Sequence, residues 1–476
     1  MPLSESKKPG EKQDVFWTKG TIAFFIGVGV IVLIFLVWVA LNWSARAAVE
    51  RELEKLRAAG QPLTPEEVAP PLVPEAENAA PVFQRAFIEA NAADAAVEAD
   101  TTLGGLKGRK TGYWCDMSFA DVNIHRADVR GALEHHARAF PLLDKALALP
   151  TCRFDLDYAA SFAMELPHLS ELRHLARLLK ARAFLRTHEG DVAGALRDVE
   201  RMLRLRHALD DEPLLISRLV RLAIVTMAID ALSKIGEGRP LPEEEAARLV
   251  KRLAAVGPWA TMHAALVSER AFGMDAVNTV LRGELTPTGS RGTFATRAVA
   301  SVGGFWMRWN QVAYIELMTE MIDASALPPM QALDAARDIE DRMTKLSDVR
   351  GLFAKMMMPA LANAMKRTAM VQARAHAAAV GIACRLYERR HGRRPSDLSR
   401  LAPEFLDTLP VDAFTNKPLK VAPTANGFVV YSLGPNGVDD GGTPSAPNAY
   451  DKDVVWEHRN TPAPAPPAPT PPGASP

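Results

Sequence analysis

The longest apolar run in the chain, TIAFFIGVGVIVLIFLVWVALNW from Thr21 to Trp43, holds 23 residues without a charge. At ~1.5 Å rise per residue, a helix of that length crosses the ~30 Å hydrocarbon core of a bilayer with a slight tilt. Trp17 and Trp43 bracket it at the depth where indole rings prefer to sit. The run exceeds the ~7–15 apolar residues of a secretory signal, and Leu41, Asn42 and Trp43 close it where a cleavage site needs small residues. The pattern predicts an uncleaved transmembrane helix over 21–43, behind a short polar N-terminus at 1–20. Lys7, Lys8, Lys12 and Lys19 precede the span and Arg46, Arg51, Lys55 and Arg57 follow it. That tie leaves the positive-inside rule silent on orientation.

Beyond the span, 44–81 reads as a charged helix followed by a spacer broken by Pro62, Pro65, Pro70, Pro71, Pro74 and Pro81. Such spacing forbids a helix and favours a semi-rigid extended chain. Helical periodicity then dominates 82–377. Leu172, Leu175, Leu179 and Ala183 form one stripe, and Val192, Ala195, Val199 and Met202 form another. Glu189-Gly190-Asp191 separates them as a helix stop and an N-cap. This hairpin resembles a single tetratricopeptide unit, with Ala195 as the small residue at the crossing. Arg182 and Arg186 stand where that family places Leu and an aromatic, and no 34-residue repeat follows. Leu214–Leu232 is apolar nearly all round, but Arg218 and Arg221 favour a buried helix over a second span. Pro242 before Glu243, Glu244 and Glu245 is a helix start. Pro258 and Pro328-Pro329 mark further starts, Glu284–Thr296 reads as a loop, and Met356, Met357 and Met358 read as core filling.

Composition narrows the function. Fifty-six Lys and Arg balance 56 Asp and Glu at pI ≈ 7.2, which argues against a nucleic-acid partner held by phosphate contacts. Three cysteines build neither a disulfide scaffold nor a Cys-rich zinc site, and spacing leaves open whether Cys115 and Cys152 pair. Over 458–476 the chain is a Pro-rich tail that buries no core and is expected to be disordered.

No catalytic motif emerges. Gly104–Thr111 imitates a phosphate loop, but Arg109 separates its last Gly from Lys-Thr and no strand precedes it. Glu165-x-x-His168 and Glu171-x-x-His174 share the spacing of di-iron bundles, yet they lie six residues apart and Pro167 interrupts the first. They read as a solvated helix start. His135-His136 reads as a polar helix face, and Cys384 as a buried small hydrophobe.

The C-terminal segment 378–457 differs in kind. A helix ends at His391-Gly392, a short helix and turns follow, and Gly427–Leu433 is one strong strand. Gly434-Pro435-Asn436-Gly437-Val438-Asp439-Asp440-Gly441-Gly442 is an acidic, glycine-rich loop. Phe405–Glu457 holds seven acids against three lysines. Oxygen-rich loops of this kind suit calcium, which takes about six to eight oxygens. A metal-free Gly/Asp turn is the other reading.

The order of residues here resembles the globular head of type II secretion major pseudopilins. Tyr387, Gly392, Pro395, Leu409, Pro410, Asp412, Phe414, Asn416, Pro418, Tyr431, Ser432, Gly434, Gly437, Gly441, Gly442, Asp453 and Val454 follow that family's sequence of motifs over about a sixth of the chain. The resemblance implies calcium held by Asn436 and Asp453 with the Leu433 carbonyl, and Asp439 or Asp440 compensating for Asn436, which replaces a charged ligand. It does not extend to the N-terminus, where Phe25 occupies the position of the family's Glu. About 300 residues also separate anchor from head, so processing and polymerisation as a pilin subunit is not expected.

These features predict a mainly α protein: a transmembrane helix, an irregular multi-helix body and a small α+β pseudopilin-like head. The expected role is a single-pass scaffold or interaction protein of the cytoplasmic membrane, serving envelope assembly or secretion. It would hold the membrane through 21–43 and a protein partner through the body. Its body and C-terminus are expected outside the cytoplasm, because long domains translocate largely regardless of flanking charge. The rival is an enzyme whose site lies in a groove of the helical body. Buried, converging Asp, Glu or His would favour that rival.

Overall fold

A computed structural model of the chain describes residues 19–106, 114–284, 294–425, 427–445 and 451–459. Within them the fold is mainly helical, with one small sheet at the C-terminus. In chain order the helices are α1 (Lys19–Ala58), α2 (Ala80–Ala99), α3 (Phe119–Ile124), α4 (Arg126–His135), α5 (Ala139–Leu147), α6 (Pro167–His188) and α7 (Val192–Leu205). After these come α8 (Leu215–Gly236), α9 (Glu243–Ala254), α10 (Met262–Leu281), α11 (Phe294–Ser325), α12 (Pro329–Lys345) and α13 (Asp348–His391). Strands β1 (Lys420–Thr424), β2 (Gly427–Ser432) and β3 (Val454–Arg459) form an antiparallel sheet in the order β1-β2-β3.

The apolar half of α1 stands free of the rest, with large side chains from Ile22 to Leu41 exposed to solvent. It is the one described helix long and apolar enough to cross a membrane. The same helix continues without a break into the charged segment, where Ala45, Ala48, Val49 and Leu56 are buried. Ala48 and Val49 pack with Val312 of α11. The apolar segment and the body therefore share one continuous helix. We predict that carbonate washing leaves the full-length protein in the membrane pellet, and release into the supernatant would contradict a spanning α1.

The Pro-rich segment departs from expectation. It is not a free spacer, because it is docked on the body. Asn78 explains this: its Nδ2 donates to the Arg153 carbonyl at 2.9 Å, and its Oδ1 accepts from the Arg153 amide at 2.8 Å. Arg153 Nε also donates to the Pro70 carbonyl at 3.1 Å. A side chain thus supplies the ladder hydrogen bonds that prolines cannot.

Two apolar cores lie along α13. One gathers α2–α9 around the C-terminal part of α13, from Ala375 to Tyr387. The other gathers α10–α12 with Ala354–Ala373, on either side of Pro359 within the helix. The expected body–head boundary at 377/378 falls inside α13, and Phe428, Val430 and Trp456 of the sheet belong to the first core. Trp456 lies where a Cβ on Gly381 would stand, so the sheet sits directly on the helix backbone. Asp412 ties the preceding turns to the sheet, its Oδ1 accepting from Ser432 Oγ at 2.6 Å and its Oδ2 from the Leu433 amide at 3.0 Å.

The predicted hairpin of α6 and α7 forms as read, with Gly190 at φ 89° and Asp191 capping α7 through the Gly194 amide at 2.8 Å. Helix α8 buries Arg218 and Arg221, and α9 begins at Glu243. The methionines divide: Met358 is fully buried, whereas Met356 is exposed. Most of the predicted 284–296 loop and of the phosphate-loop imitation lies outside the described residues, as does the Pro-rich tail from 460 onward.

Candidate metal centre

Two histidines read as solvated are in fact buried. His136 has no exposure and His174 has 1%, and both face Asp94. The cause is local. His136 follows directly on α4 and its ring turns inward, where Nδ1 meets the Ala132 carbonyl at 2.8 Å. His174 lies on α6 between Leu172 and Leu175, on the face packed into the first core. Asp94 follows the buried Ala90 and Ala93 and precedes Val97 on α2, at the edge of that helix's apolar stripe.

The three side chains converge. His136 Nε2 lies 3.1 Å from Asp94 Oδ1, and His174 Nε2 lies 2.8 Å from Asp94 Oδ2. One ligand atom from each side chain falls within 4.8 Å of the others. Two ligands on a tetrahedral zinc, each bonded at ~2.0–2.1 Å, stand about 3.3 Å apart. The observed separations are close to that value. The Asp94 side chain keeps 27% exposure, so the cluster opens to solvent on its carboxylate side.

Each member also has a partner behind it. Trp114 Nε1 donates to Asp94 Oδ1 at 3.1 Å, and His174 Nδ1 lies 3.7 Å from Cys115 Sγ. Outer partners of this kind fix ring orientation and tautomer in metal sites. A carbonyl oxygen only accepts, so His136 must carry its proton on Nδ1. In the neutral ring, Nε2 then directs a lone pair at a carboxylate oxygen. That contact is repulsive unless Nε2 gains a proton or a cation lies between the two atoms.

Electrostatics follow the geometry. Burial raises the Asp94 carboxyl, but its bonds to His136 and His174 outweigh that and hold it well below the usual range. Burial, with the Asp94 charge adding to it, pushes the Cys115 thiol up to about 12. Cys115 is therefore a neutral thiol behind His174. All three cysteines are buried and free, so Cys115 and Cys152 do not pair.

The other sequence candidates have separate fates. His168 is buried too, its Nε2 2.9 Å from Glu212 Oε2, and it takes no part in the cluster. Glu171 accepts from Asn91 at 3.2 Å on an exposed face, and His135 pairs with Asp100 at 3.1 Å. In the C-terminal loop, Asp439 is engaged by Lys420 at 2.5 Å, by Tyr431 Oη at 3.1 Å and by the Gly441 amide at 3.1 Å. Asp440 accepts from Asn436 Nδ2 at 3.0 Å. Asp453 is buried, with Oδ2 accepting from the Gly442 amide at 2.7 Å. Leu433 donates its amide to Asp412. Residues 446–450 of this loop lie outside the described residues.

Asp94 escaped the sequence reading because nothing in ANAADAAVEAD is a motif. The available signal was an acid bordering a stripe of alanines. No protein-family model, curated protein or solved structure matches this chain.

Proposed function

We propose that this is a single-pass membrane protein whose helical body holds one divalent transition-metal ion on Asp94, His136 and His174. The observation that carries it is the convergence of His136 Nε2, His174 Nε2 and the Asp94 carboxylate, whose ligand atoms all lie within 4.8 Å of one another with both rings buried. Nitrogen and carboxylate ligands suit zinc or ferrous iron and are a poor match for calcium. Three protein ligands leave coordination positions open, which is the arrangement of catalytic sites and not of closed structural ones. An ion so held would polarise a carbonyl or phosphoryl oxygen and would activate a bound water. The protein residues orient it: Trp114 fixes the Asp94 carboxylate, the Ala132 carbonyl fixes His136, and Cys115 backs His174. This favours metal-dependent chemistry at the membrane surface over a purely scaffolding body.

The test is direct. Full-length protein in detergent, stripped with chelator and dialysed against zinc, should retain about one zinc per chain, with protons released on binding. Zinc retention no greater than that of an Asp94→Ala variant would leave the cluster an ordinary Asp–imidazolium knot.

A further inference from the structure

A second site lies where α7 ends. The backbone turns at Arg206–Leu209, and an open cavity of about 380 Å³ forms between this turn and α9. Four cations line it (Arg206, Arg248, Lys251 and Arg252) against a single acid, Glu200. Three of the four are already compensated. Glu200 accepts from Arg252 at 2.8 Å and from Arg248 at 3.3 Å, Glu244 pairs with Arg248 at 2.5 Å, and Asp407 pairs with Lys251 at 3.1 Å.

Arg206 is the exception. It is 93% buried, and no hydrogen bond or ion pair reaches its guanidinium among the described residues. Asp210, the acid whose charge acts on it through space, is engaged by Arg221 at 2.7 Å and by His207 at 2.5 Å. Arg206 caps the C-terminus of α7, where the last carbonyls favour a cation, yet only its backbone N–H reaches one, the Arg204 carbonyl, and its guanidinium donates to none of them. Burial, with Arg221 and Arg252 nearby, lowers its pKa to about 10, so at neutral pH it remains charged. With no protein partner, its guanidinium is left to the water of the open cavity it lines, a position that an anion can satisfy.

We infer that this cavity binds a small phosphoryl-bearing anion, with the Arg206 guanidinium as its central donor and Arg248 and Lys251 at the rim. Guanidinium geometry matches two phosphate oxygens at once, and the rim adds point charges. The cavity exceeds a bare phosphate, so the ligand class is a soluble phosphate monoester. Apolar Leu203 and Ala255 stand ready to contact its organic part.

Inorganic phosphate is the probe, and thermal unfolding of the full-length protein in detergent is the readout. At a hundredfold excess over Kd, phosphate should raise the midpoint by about 5 °C. Acetate at matched ionic strength should not. Arg206→Met should melt at or above the wild-type midpoint, because a charge without a protein partner is gone from a largely enclosed position, and should lose the response to phosphate. The rim double variant Arg248→Gln, Lys251→Gln leaves the buried arginine in place and should weaken the apparent phosphate Kd at least about tenfold. No phosphate shift in the wild type, an equal shift with acetate, a full shift in Arg206→Met, or an unchanged Kd in the rim variant would each overturn the assignment.

Discussion

Replacing His136 with Ala is expected to abolish zinc retention, while the same change at His135, one residue away, leaves it intact. The two rings diverge because α4 ends between them: His135 stays on the exposed side against Asp100, and His136 enters the core against Asp94. His174→Ala and Asp94→Ala should lose the ion as His136→Ala does, since two remaining ligands do not hold a divalent ion against water. Trp114→Phe tests the outer layer. It removes the donor to Asp94 Oδ1 but keeps the aromatic volume, and a fall in affinity of about 10–100-fold is expected. Equilibrium dialysis with metal analysis reads all five variants, and circular dichroism confirms that each is folded. Equal zinc retention by His135→Ala and His136→Ala would refute the assignment. A Trp114→Phe variant that binds like wild type would remove the outer partner from the account.

The contrast between these adjacent histidines shows what a sequence conveys. Periodic features were legible: the long apolar helix α1, the α6–α7 hairpin, the buried arginines of α8 and the glycine stop at Gly392 each follow from local pattern. Features that depend on where a helix ends within a few degrees were not. A polar residue beside an apolar stripe belongs to the solvated face or to a buried network according to what packs opposite, and that partner is set by residues 20 to 80 positions away. Asp94 illustrates this, since its three neighbours come from Trp114, His136 and His174. The docked Pro-rich segment was hidden for a related reason. Prolines rule out a helix but say nothing about a single Asn78 that supplies the missing bonds. Strands β1 and β3 were also illegible. Lys420–Thr424 contains Pro423 and is largely exposed, and both strands exist because β2 offers them an edge.

Arg182 and Arg186 show how a departure from a family pattern becomes a structural feature, and they yield the largest stability effect expected in the body. Both guanidinium groups turn to Asp198 on α7, which has no exposure at all. Its Oδ1 accepts from Arg182 at 2.5 Å and Arg201 at 3.1 Å, and its Oδ2 from Arg182 Nε and Arg186, each at 2.9 Å. Arg182 is also stacked 3.6 Å above the Phe140 ring, and burial lowers its pKa. One carboxylate thus neutralises the centre of a three-arginine cluster between two helices. Removing it leaves Arg182 buried and uncompensated, while Arg201 keeps Asp144 and Arg186 keeps the Gly194 carbonyl. Breaking a buried pair from one side costs about 3–5 kcal/mol, and Asp198→Ala is expected in that range by chemical denaturation. Adding Arg182→Met should recover a large part of the loss, because a thioether side chain of similar length fills the space under Phe140 without a charge. A single variant within about 1 kcal/mol of wild type, a value ordinary for an exposed pair, would mean that water and the neighbouring acids already satisfy the cluster. Failure of the double variant to recover any stability would show that Asp198 matters for packing and not for charge.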